Sequence, residues 1–92
     1  SNEDRELLAE RVRALLAVPA PGGLKKGAWY AALADVGGMA ENTLWRWASG
    51  SRRPYLLGAK ALIRADTILR ERLDKAPDSG KVVEPDKVGG KT

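Results

Sequence analysis

The chain has no cysteine and no histidine. Without cysteine there is no disulfide scaffold, no thiol chemistry and no cysteine-based zinc finger. Without histidine the commonest general acid–base group is missing. The acids are scattered along the sequence, and no nucleophile is paired with a base, so the expectation is a binding module rather than an enzyme. No catalytic residue, metal ligand or cofactor site is singled out. The apolar runs fall well short of the roughly 20 residues that span a bilayer. No secretory leader pattern is visible, and no function is assigned to the opening Ser1-Asn2. These absences fit a cytoplasmic protein in a reducing compartment with no membrane partner.

What is present is small and unevenly charged. The 92 residues suit a single domain. A domain of this size buries only about two-thirds of its unfolded surface, so its core must be economical. Lysine and arginine total 16 against 12 acids. Residues 1–39 carry five bases and five acids, and residues 73–92 carry four of each. Residues 40–72 carry seven bases and three acids, which places the whole excess of +4 in the middle third. A localised basic region is the footprint of a polyanion binder, although solvated basic faces are common.

Four helices are expected. The first runs from about Glu3 to Ala17, with Leu8, Val12, Leu15 and Leu16 at helical spacing, Leu7 beside them, and Asn2 as a cap. Acids crowd its first turn, where the helix dipole favours them. Val18-Pro19-Ala20-Pro21-Gly22-Gly23 ends it. The second helix runs from Lys26 or Ala28 to Val36, with Trp29, Ala32, Leu33 and Val36 on one face. Gly37-Gly38 breaks it. The third runs from Glu41 to Ser49, with Leu44 and Trp47 three apart and Gly50 placed to end it. The fourth spans about Tyr55 to Leu73 with a stripe of Leu62, Ala65, Ile68, Leu69 and Leu73. From Ala76 onward the composition is too polar to offset its ordering entropy, and a disordered tail or linker over 76–92 is expected. Its Gly89-Gly90-Lys91-Thr92 ending lacks the glycine that a phosphate loop needs at Pro85, and it reads as linker. A tail of this kind suggests a piece of something longer. The fold class is therefore all-α: a small four-helix domain over 1–75 with a central helix-turn-helix.

That motif, from about Tyr30 to Ser49, makes definite demands. One position on its first helix must be small, the turn needs a residue that accepts positive φ, and the second helix needs apolar anchors about three apart. Ala34, Gly38, Leu44 and Trp47 meet these demands, and Met39 can plug the core. The stretch with Leu33-Ala34, Gly38-Met39, Thr43-Leu44 and Gly50-Ser51-Arg52-Arg53-Pro54 resembles the lambda-repressor-like (XRE-type) family of helix-turn-helix regulators. Three departures stand out. Ala40 occupies the place of the usual Ser or Thr cap, the first loop is long and rich in Pro and Gly, and Trp45 is large.

The resemblance implies sequence-specific binding of double-stranded DNA, in a transcriptional regulator of phage, plasmid or bacterial type. It implies base contacts from Glu41, Asn42, Thr43, Trp45 and Arg46, with Ser49 and Ser51 in the same interface. Asn pairs with adenine, Arg with guanine, and Glu accepts from cytosine. Arg46 is the leading base reader. Arg52 and Arg53 would meet phosphates on one side, and Lys25 and Lys26 on the other. Trp29 and Trp47 are expected in the core. Trp45 is expected either against a sugar or thymine methyl, or laid over the first helix. The Arg70/Asp66 spacing permits an intrahelical pair. Regulators of this kind bind as dimers, and the last helix is the candidate surface for a homodimer. Two other functions share these features: the DNA-binding domain of a transposase, recombination or replication protein, and a helical protein-interaction module presenting Trp45 and the last helix.

Overall fold

A computed structural model of the chain describes residues 2–75. They form four α-helices: α1 (Asn2–Ala17), α2 (Lys26–Gly37), α3 (Glu41–Ser49) and α4 (Leu56–Lys75). A 3-10 turn at Pro21–Gly23 joins α1 to α2. There is no strand among the described residues. None of these helices is long and apolar enough to cross a membrane. The expected tail and its Gly-Gly-Lys-Thr ending lie outside the described residues.

The helix ends follow from local chemistry. Gly38 closes α2 in the left-handed region at φ 72°. Its N–H donates to the Asp35 carbonyl (3.3 Å), and the Met39 N–H donates to Ala34 (2.9 Å). Gly50 closes α3 in the same way at φ 82°, with Gly50 N–H on Trp47 O (3.2 Å) and Ser51 N–H on Arg46 O (3.1 Å). Both are paired Schellman closures, which satisfy carbonyls left over at a helix end and favour glycine there. Gly37 still belongs to α2, so Gly38 alone makes the turn.

Some boundaries depart from expectation. Asn2 lies inside α1 rather than capping it. Tyr55 stands before α4, where its carbonyl accepts the Ala59 N–H at 2.8 Å, and α4 runs on to Lys75. Despite its uncapped start, α3 begins at Glu41, directly after Ala40.

The core gathers one face from each helix. Buried are Ala9, Val12 and Leu16 of α1; Trp29, Tyr30, Leu33 and Ala34 of α2; Leu44 and Trp47 of α3; and Ala59, Leu62 and Ala65 of α4. Helices α1 and α2 each pack on both α3 and α4. Nine residues of helix are marginal alone in water, so α3 depends on its two anchors. Leu44 and Trp47 are fully buried, and each such burial contributes about 1.5–3 kcal/mol.

Some expected core positions are not core. Leu7 and Leu73 are exposed, and Ile68 is half-buried but outside the core cluster. Tyr30 is buried instead, with its hydroxyl donating to the Leu16 carbonyl at 2.8 Å, which ties α2 to the end of α1. Gly58 is buried too, under the rings of Trp47 and Tyr55. Trp29 receives the Arg70 guanidinium over its ring at 5.3 Å, and Arg70 forms the expected pair with Asp66 at 2.8 Å.

Candidate nucleic-acid interface

At 100° per residue, the inward placement of Leu44 and Trp47 fixes where every other α3 side chain lies. Asn42 and Arg46 form the outer edge, and both are exposed. Glu41 and Trp45 form the flank toward α2. Thr43 lies on the opposite flank, half-buried, toward the turn that follows α3.

Trp45 covers part of α2 and stays partly open to solvent. Its ring lies over Tyr30, with centroids 4.5 Å apart at 55°, yet 39% of its surface remains exposed. Its indole Nε1–H donates to Glu41 Oε2 at 3.0 Å.

On the other flank the chain turns back at Gly50 and passes the helix end. Thr43, Arg46, Trp47, Arg52, Arg53 and Tyr55 line one shallow cleft there. Arg46 comes from the helix, and Arg52 and Arg53 from the turn. The Trp47 and Tyr55 rings meet edge to face at 5.5 Å and hold the turn against the helix. Trp47 Nε1 is buried with no hydrogen-bond partner among the described residues. The second flank is therefore a cleft to which three arginines, Arg46, Arg52 and Arg53, contribute.

Ser49 and Ser51, both exposed, also close the end of the helix. The Ser49 hydroxyl donates to the Arg46 carbonyl at 3.1 Å and lies 3.1 Å from Ser51 Oγ. Ser51 Oγ is 3.4 Å from the same carbonyl. The Arg52 N–H points there too, at 3.3 Å. These groups satisfy the negative end of α3 and shape the exit turn.

Arg53 is shared. It forms an ion pair with Glu6 of α1, and both side chains are more than half exposed. Such exposed pairs contribute about 0–1 kcal/mol, so a competing anion displaces Glu6 at little cost. Nothing in the sequence marks these two positions as neighbours.

Lys25 and Lys26 do not line the cleft. They begin α2: Lys25 precedes its first turn, Lys26 opens it, and no acid stands in that turn. Cations there oppose the helix dipole. The arrangement costs stability and gathers N–H groups and two ammonium groups at one helix end, which suits an anion.

Compared with family models, with curated proteins and with solved structures, the chain finds no match. The likeness to lambda-repressor-like regulators therefore rests on the residues themselves.

Proposed function

We propose that this chain binds double-stranded DNA in a sequence-dependent way, with the outer edge of α3 in the major groove. The observation that carries the reading is the division of labour on α3. Its inner face is wholly occupied by Leu44 and Trp47. Its outer edge presents Asn42 and Arg46, and it ends at a cleft that adds Arg52 and Arg53. Base-reading side chains beside phosphate-seeking ones is what groove recognition requires. The two lysines at the start of α2 supply a second backbone contact.

The reading is of a binding module rather than an enzyme. The hydroxyls of Tyr30, Ser49, Ser51 and Thr67 bond to backbone carbonyls rather than to a base. The setting we propose is a cytoplasmic transcriptional regulator of phage, plasmid or bacterial type.

For a homodimer, α4 offers less than its sequence stripe suggests. Leu62 and Ala65 are buried in the core. Its exposed large apolar side chains are Leu56 and Leu57 at one end and Leu73 at the other, about 24 Å along the helix at 1.5 Å per residue. A second copy would seat at one end, and sedimentation with and without DNA measures whether it does.

The deciding experiment is an amide chemical-shift titration with random duplex DNA at low salt. Shifts should cluster on α3, the 50–55 turn and the start of α2. Arg52→Ala should weaken all sequences alike and lower the salt slope by about 0.9. Arg46→Ala should weaken a selected site far more than random DNA. Absence of any shift at low salt ends the DNA reading and leaves the protein-interaction module in its place.

A further inference from the structure

The flank of α3 that faces α2 holds a pair that phosphate binding does not use. Glu41 opens the helix and Trp45 stands one turn on. The Trp45 indole N–H holds Glu41 Oε2 at 3.0 Å. Trp45 is itself held, because its ring lies 4.5 Å from Tyr30. Tyr30 is buried and bonded to the Leu16 carbonyl at 2.8 Å. A chain of contacts thus runs from the end of α1 to one carboxylate oxygen on the helix surface.

A glutamate on an exposed helix face ordinarily samples several rotamers and loses that freedom on binding. Here one oxygen is tied, and Oε1 makes no hydrogen bond or ion pair among the described residues. The positive end of α3 favours a carboxylate at this position without occupying Oε1.

We propose that Glu41 selects a base, accepting through Oε1 from the exocyclic amine of cytosine, and that Trp45 is its positioning residue. This rests on the DNA reading. A carboxylate only accepts, and the major groove offers it two amines, on cytosine and on adenine. The adenine amine is flanked on both sides by acceptors, its own N7 and the thymine O4. The cytosine amine has an acceptor on one side only, the guanine O6. Adenine therefore repels the carboxylate more. A negative group among phosphates also costs affinity wherever no amine meets it. Glu41 accordingly discriminates more than it attracts.

The test is selection from a randomised duplex library with the wild type, Glu41→Gln and Trp45→Phe, together with affinities for one random duplex. The wild type should prefer cytosine at one position by about tenfold. Glu41→Gln should move that position toward adenine, which glutamine pairs bidentately. It should also bind random duplex several-fold tighter, because one repelling charge is gone. Trp45→Phe keeps a ring over Tyr30 and loses the N–H. It should flatten the cytosine preference at that position, leaving other positions and the melting temperature unchanged. Unaltered preference in Glu41→Gln, or flattening at every position in Trp45→Phe, overturns the assignment while DNA binding stands. A wild type that binds no duplex overturns both.

Discussion

Gly58 gives the sharpest test of how the fold holds its basic turn. Alanine is worth up to about 1 kcal/mol over glycine inside a helix, so Gly58→Ala should stabilise α4 taken alone. A Cβ at this position would lie 2.8 Å from Trp47 Cη2 and 2.7 Å from Tyr55 Cζ. The Tyr55 ring is 58% exposed and can swing away. The Trp47 ring is fully buried and cannot move without disturbing its neighbours in the core. Overpacking of this kind costs about 1–3 kcal/mol, and the lost Trp47–Tyr55 contact about 1 more. The net expectation is a loss of about 2 kcal/mol, or roughly 10 °C in melting temperature for a domain of this size. Urea unfolding followed by circular dichroism measures it. Gly27→Ala is the control, because nothing lies within 4 Å of a Cβ at that position in α2. It should be neutral or stabilising by about 0.5 kcal/mol. If Gly58→Ala is as stable as Gly27→Ala, the packing argument fails. Adding Tyr55→Ala should not restore stability, since Trp47 sets the limit, and full restoration would place the clash on Tyr55 instead.

Three further outcomes are expected. Ala40→Ser or Ala40→Asp should stabilise by about 1 kcal/mol in thermal unfolding, because α3 has no side-chain cap at Ala40. Glu6→Gln frees Arg53 from its partner; melting should change little, while affinity for random duplex at low salt should rise about two- to threefold, measured by fluorescence anisotropy. Tyr30→Phe should cost about 1–2 kcal/mol by leaving the Leu16 carbonyl without its donor. Burial raises the Tyr30 pKa above its ordinary 10.0. The neutral form is favoured in the fold, so this contribution is complete below pH 10 and is lost as pH rises through the folded value. Stability against pH should accordingly fall less steeply above about pH 10 in Tyr30→Phe than in the wild type.

Features set by local chemistry were legible in the sequence. Gly38 and Gly50 stand where helix ends need a left-handed residue, and Leu44 and Trp47 stand where a short helix needs anchors. Features set by distant neighbours were not. Glu6 and Arg53 meet only because α1 passes the exit turn. Gly58 is constrained by two rings that spacing along α4 does not reveal. Helical spacing counts Leu7 and Leu73 as core, but it carries no information on where a partner helix stops. Tyr30 had a readable signal: it lies one residue from Trp29 and three from Leu33, inside the buried arc of α2, and a tyrosine with one acceptor in reach buries readily. Among the candidate site residues, periodicity placed Asn42, Thr43, Trp45 and Arg46 on the α3 surface. It could not show that Ser49 and Ser51 close the helix end, since that depends on the path of the turn.

Under the proposed DNA reading, the same separation explains how so short a helix would serve as a reading head. A protein surface must be rigid to discriminate bases, because ordering a mobile side chain at the moment of binding subtracts from the gain. Nine residues cannot stiffen themselves. In this chain the stiffness is imported from both ends and from beneath. Gly38 fixes the angle of entry, the Gly50 closure and the Ser49–Ser51 hydroxyls fix the exit, and Trp47 seats the middle. Apart from Ser49, which shares the face of Asn42 at the far end of the helix, none of these groups lies on the outer edge. Asn42 and Arg46 can therefore be exchanged without touching the core, and the preferred sequence can change while the fold does not. Trp45 is the exception, because it covers Tyr30 while it holds Glu41. Removing the ring, as in Trp45→Ala, should alter stability and base preference together, whereas substitutions at Asn42 and Arg46 should alter preference alone.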